Sequence, residues 1–107
     1  MSTTVFITGA NGEIGHGLIQ HLSDQDNINI VALDLHPFDP EVAKRCKQTV
    51  VGDILDPSLL QSLSAAHEFD AIYHLAALLS TRSEKEPLLA HRVNVDGMLN
   101  ILELAAT

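Results

Sequence analysis

Thr8-Gly9-Ala10-Asn11-Gly12-Glu13-Ile14-Gly15 joins a short β-branched run to an amphipathic stretch, and the fold of the chain is decided by how it is read. Thr4 to Thr8 supplies a strand before it. Ile14, Leu18, Ile19 and Leu22 recur at helical spacing after it and define a helix over Ile14 to Ser23. The glycines at 9, 12 and 15 lack the Cβ that would obstruct a tight strand-to-helix turn and hold a diphosphate away from backbone N–H groups. The helix that follows points its positive end at such an anion. The backbone of Gly9, Asn11, Gly12, Glu13, Ile14 and Gly15 is therefore a candidate phosphate cradle. The spacing is GxxGxxG rather than GxGxxG, so the position between strand and helix carries the argument. A glycine-rich turn that binds nothing is the plain alternative.

Outward from this turn, strand-like runs at Thr4 to Thr8, Ile28 to Asp34, Thr49 to Gly52 and Ala71 to Leu75 alternate with helical patterns. The helices are expected at Ile14 to Ser23, around Glu41 to Lys44, at Pro57 to Ala66, and from Pro87 to Ala106. This is the rhythm of parallel βαβ units, and right-handed crossovers order the strands 3-2-1-4. The expected fold class is α/β, a Rossmann-like parallel sheet flanked by helices. Asp56 before Pro57 reads as an N-cap with proline in the first turn, and Glu86 before Pro87 as a similar start. No repeat, linker or low-complexity segment divides the chain, so residues 1–107 read as one domain.

Composition narrows the function classes. With 46% hydrophobic residues but one Tyr, three Phe and no Trp, the core is aliphatic, as buried parallel strands require. Six basic against fourteen acidic residues give a formal charge of −8. That balance argues against a nucleic-acid partner or an anionic membrane surface, since phosphate contacts need clustered Lys and Arg. No apolar run approaches a membrane span and the start lacks a signal-peptide pattern, so a cytoplasmic protein is expected. The single cysteine, Cys46, stands between Arg45 and Lys47. It reads either as a thiol with lowered pKa or as a structural bystander.

Asp34 closes the second strand, where this architecture brings an acidic side chain to an adenosine ribose. A carboxylate there accepts from both hydroxyls and opposes a 2′-phosphate by about 4 kcal/mol per unit charge pair at 4 Å. NAD is therefore preferred over NADP; an exposed strand-end Asp serving only its own turn is the alternative. Asp53 and Ile54, after Gly52 at the end of the third strand, are placed to meet the adenine edge with a carboxylate and an amide, or form an ordinary turn. Beyond His74, residues Leu75, Ala76 and Ala77 leave the fourth strand, and the alanines are small where ribose and phosphates would pass. His74 itself, inside a strand run, reads as a packed, hydrogen-bonded residue rather than a base or metal ligand. The six histidines offer no ligand set, because His16 and His21 point to different helix faces, and no metal site is assigned. Asn94 interrupts an apolar run containing Val93, Val95, Leu99, Leu102 and Leu104; it is either solvated or ties the last helix to the nucleotide-binding strand ends.

Taken in order, Thr8 through Gly15, Asp34, Gly52 with Asp53, His74 through Ala77, and Asn94 with Val95 and Gly97 resemble the extended short-chain dehydrogenase/reductases, the NAD-dependent epimerases and dehydratases. The resemblance implies NAD as cofactor and spans essentially the whole chain. Within the family, His74 to Ser80 and Glu84 to Pro87 resemble the short-chain type of L-threonine 3-dehydrogenase. That similarity puts Ser80 where a serine contacts substrate; a loop serine without a site is the alternative. Family members also carry a Tyr with a Lys four residues on, the Tyr acting as general base. Here the only tyrosine, Tyr73, has Ala77 at that position, so no catalytic residue is assigned. The chain thus resembles a front half, with the C-terminal substrate and catalytic portion absent and the fold cut before the later strands. A free fourth-strand edge and an apolar last helix then predict self-association. The two function classes are the NAD-binding portion of an oxidoreductase or epimerase, and a stand-alone NAD(H)-binding regulatory module acting as an oligomer.

Overall fold

The computed structural model describes residues 3–76 and 92–105. Four parallel strands, β1 (Thr3–Thr8), β2 (Ile28–Asp34), β3 (Gln48–Val51) and β4 (Ala71–His74), form one sheet in the order β3-β2-β1-β4. This is the expected order. The connecting helices are α1 (Glu13–Ser23), α2 (Pro40–Ala43) and α3 (Pro57–Ala66), and a π-helical turn (Arg92–Asp96) leads into α4 (Gly97–Ala105).

β1 and β2 sit centrally and are covered on both faces. Their side chains alternate between two cores, as a period of two demands. Phe6, Val31 and Leu33 pack with Ile54, Leu60, Leu63, Ile101 and Leu104 under α3 and α4. Val5, Ile7, Ile30 and Ala32 pack with Ile19 and Leu22 of α1 on the other face. Phe6 also stacks on Phe69, with ring centroids 4.9 Å apart.

Several element ends differ slightly from the sequence expectation, for local reasons. α2 begins at Pro40 because the Asp39 carboxylate accepts from the Glu41 N–H and Pro40 needs no partner at the first helical position. α3 starts as expected, with Asp56 accepting from the Ser58 and Leu59 amides ahead of Pro57. β4 ends at His74, although the Leu75 N–H still reaches the Thr8 carbonyl at 3.0 Å. The register pairs Thr8 with both Leu33 and His74, so the carboxyl ends of β2, β1 and β4 lie side by side. That is the end at which open parallel sheets bind ligands. Glu86 and the N-terminal part of the expected last helix lie outside the described residues, as do Ala77 and Ser80.

Candidate functional site

At those strand ends a cavity of about 580 Å³ is lined by Gly9, Asn11, Gly12, Glu13, Ile14, Gly15, Asp34, His36, Leu75 and Ala76. It falls within the range typical of small-molecule sites. The cradle, Asp34 and the exit of β4, remote in sequence, thus meet in one place. His36 joins them without any sequence signal beyond its proximity to Asp34.

The three glycines of the loop have different causes. Gly9 adopts φ +64°, and a Cβ there would lie 2.6 Å from the Ala76 nitrogen, so the close approach of the loop after β1 to the chain leaving β4 demands glycine. At Gly15 a Cβ would lie 2.3 Å from the Ala10 carbonyl oxygen, so helix and loop pack too closely for a side chain. Gly12 is unlike both. Its backbone is ordinary and extended, it is exposed, and a Cβ would meet only the Gly9 carbonyl oxygen at 3.6 Å, a normal contact. Protein packing therefore does not require glycine at 12. Gly12 is also the N-cap of α1 and provides no side-chain cap, so the amides opening the helix receive no bond from it. Bare backbone and open space coincide at a helix N-terminus, the arrangement that suits a diphosphate.

Asp34 is held from two directions. The backbone N–H of Asn11 donates to its Oδ2 at 2.9 Å, and that of His36 to its Oδ1 at 3.0 Å. A carboxylate has about four lone-pair positions, so two such bonds fix its orientation and leave capacity for ribose hydroxyls. The Asn11 side chain adds a bridge: Nδ2 donates to the Pro37 carbonyl at 2.9 Å, and Oδ1 lies 3.0 Å from His16 Nε2.

On the β4 side, the buried Thr8 hydroxyl lies 2.7 Å from His74 Nδ1 and accepts a longer bond from the Ala76 N–H at 3.4 Å. These contacts pin the exit of β4 against Gly9. Burial holds the His74 imidazole below its usual pKa and favours the neutral ring. His74 is thus the hydrogen-bonded strand residue expected from sequence.

Other expected positions lie elsewhere. Asp53 turns its carboxylate onto the Leu55 N–H at 2.9 Å, and the Ile54 side chain is buried under Gly97; neither lines the cavity. Asn94 is exposed on the π-helical turn and also lies off the cavity lining. The Asn100 amide ties α4 to the turn after β3, its Nδ2 donating to the Ile54 carbonyl at 2.9 Å. Sequence reading missed it, although an Asn next to the inward Ile101 is the same signal that singled out Asn94. Cys46 is half-buried, with burial pushing its thiol pKa up, which corrects the activated-thiol reading and favours the bystander. Among the described residues no helix is long and apolar enough to cross a membrane.

Comparison with known proteins agrees with this geometry. The family model for the NAD dependent epimerase/dehydratase family matches residues 5–107. An uncharacterized epimerase/dehydratase of Staphylococcus saprophyticus is 33% identical over 102 residues, covering 94% of this chain and 32% of the relative. L-threonine dehydrogenase of Clostridium difficile superposes with a TM-score of 0.84 at 30% identity, over 97% of this chain and 33% of that one. UDP-glucose-4-epimerase of Stenotrophomonas maltophila, solved with bound NAD, gives 0.82 at 31% identity, over 95% of this chain and 33% of its own. The chain spans about a third of the length of these relatives. A match over nearly every residue, on a sheet of the expected order, makes the chain a member of the NAD-dependent epimerase/dehydratase family.

Proposed function

We propose that this chain is the NAD-binding portion of an oxidoreductase of the epimerase/dehydratase family, threonine-dehydrogenase-like or sugar-nucleotide-modifying. The observation that carries the reading is Gly12, where the protein's own packing needs no glycine but a diphosphate on the helix amides does. The amides from Gly9 to Gly15 hold the diphosphate, and Asp34 accepts from the ribose hydroxyls. Asp53 and the Ile54 amide serve the adenine edge. Leu75, Ala76 and Ala77 leave room along the exit of β4, Asn94 supports the strand ends from the last helix, and Ser80 contacts substrate. Bound NAD supplies the hydride acceptor. The chain carries no tyrosine with a lysine four residues on, and we assign it no catalytic residue. Isothermal titration with NAD is expected to give saturable binding, tighter than NADP. No heat and no thermal shift at millimolar NAD would falsify the reading.

A second reading, an NAD(H)-binding regulatory module that works as an oligomer, is favoured by one observation. Val95 on the π-helical turn and Met98, Leu99 and Leu102 on α4 are all exposed, Leu99 and Leu102 to 57% each. Contiguous exposed apolar residues mark association surfaces. Sedimentation should then show a dimer or larger species that Leu99→Glu with Leu102→Glu converts to monomer; a monomeric parent chain at high concentration removes this reading.

A further inference from the structure

The bridge centred on Asn11 spans elements that local sequence does not connect. Its amide orientation follows from chemistry. The Pro37 carbonyl only accepts, so it must face the Asn11 NH₂ group. The side-chain oxygen then faces His16 Nε2 at 3.0 Å, and since that oxygen only accepts, Nε2 must carry a proton. One side chain thus joins the phosphate loop, the first turns of α1 and the segment after β2. The same segment supplies the His36 N–H that holds Asp34 Oδ1, while the Asn11 N–H holds Oδ2. The carboxylate is aimed by two amides whose separation the Asn11–Pro37 bond fixes.

Resting on the NAD-binding reading above, we propose that Asn11 is a positioning residue for cofactor selectivity, with His16 as its obligatory proton donor. The latch keeps the Pro37 carbonyl, and with it the His36 amide, against the phosphate loop. Asp34 is thereby locked towards the ribose edge, where its charge opposes a 2′-phosphate. Release of the latch lets the segment after β2 swing outward and take one of the two amides from the carboxylate. Asp34 then rotates towards solvent, so NAD binding weakens while discrimination against NADP also falls. A residue that merely stabilised the fold would weaken both cofactors alike.

The experiment titrates the 107-residue chain and its variants with NAD, NADP and ADP-ribose by calorimetry, with circular dichroism confirming the fold. Asn11→Ala should lower NAD and ADP-ribose affinity together by about tenfold, the scale of one or two lost hydrogen bonds, and narrow the NAD-to-NADP ratio. His16→Leu should move both in the same direction, and His16→Gln, which keeps an N–H donor, should restore them. An unchanged ratio in Asn11→Ala, or His16→Leu matching the parent chain, overturns the latch. Should Asn11→Ala fail to fold, the His16 pair decides alone. Failure of the parent chain to bind NAD instead overturns the cofactor reading on which the latch rests, so the two failures are distinguishable.

Discussion

Two neighbouring strand ends carry an aspartate each, and the chain treats them differently. Asp34 ends β2, beside the central strand β1, and receives amides from the phosphate loop and from its own turn. Asp53 follows the edge strand β3 and spends its observed bond on the Leu55 amide of its own turn. The residue type is the same, but Asp34 is the last residue of its strand whereas Asp53 lies two residues past the end of β3, and the two strands differ in lateral place in the sheet. A strand end next to the glycine loop is built into a shared cavity, whereas one a strand further out is first a turn. Charge at a strand end thus comes to line a cavity when a second element arrives to orient it.

The largest expected effect is upstream of both aspartates. Gly12→Val puts a branched side chain over the helix N-terminus in an extended backbone that valine favours, where the nearest protein atom leaves ordinary room. The fold should survive, with a cost of at most about 1 kcal/mol at an N-cap. NAD binding should fall below detection at millimolar cofactor. A variant that keeps NAD affinity would mean that the diphosphate does not lie on this loop, and the contrast between the two aspartates would lose its functional meaning.

The contrast itself is tested next. Asp34→Ala removes charge-assisted bonds to ribose hydroxyls, which at about 1.5–3 kcal/mol corresponds to roughly ten- to a hundredfold weaker NAD binding and a smaller margin over NADP. Asp53→Ala should cost the cofactor less and the fold more. Loss of its turn bond is worth about 1 kcal/mol, seen as a melting temperature lower by about 5 °C. Paired titrations and melts of both variants check the order. If Asp53→Ala weakens NAD more than Asp34→Ala does, the ribose and adenine ends have been assigned the wrong way round.

The regular part of this molecule was legible because its causes are local. Alternation in β1 and β2, helical spacing in α1, and the Asp56-Pro57 start each lie within a few residues, and parallel βαβ handedness then leaves one strand order. Asp34 was legible for the same reason, as the last residue of a strand in a known place. The bridge from Asn11 to Pro37 was not, because Pro37 is brought beside the loop only by the pairing of β2 with β1. The inward face of α4 was less legible for a geometric reason. A π-helical turn at Arg92–Asp96 has a wider period than 3.6 residues, so helical spacing alone does not carry a face from it into α4. Gly97, Ile101 and Leu104 face inward, and the Asn100 amide bonds to the Ile54 carbonyl in the turn after β3.

The smallest expected effect concerns the far wall of the cavity, where orientation depends on a titratable ring. His74 Nδ1 partners the buried Thr8 hydroxyl, and burial depresses its pKa below 6.5. A histidine depressed in the folded state leaves stability intact above the unfolded value. Below it, the unfolded chain takes up the proton first, and stability falls as pH drops from about 6.5 towards the folded value. The imidazole is only partly buried, so solvent screening keeps the loss well under about 1 kcal/mol. Urea unfolding of the parent chain and of His74→Asn, which keeps a hydrogen-bonding amide but does not titrate, should therefore diverge between pH 7.5 and 5.5, the parent chain losing more. Parallel slopes would mean that protonation of the ring is not coupled to folding.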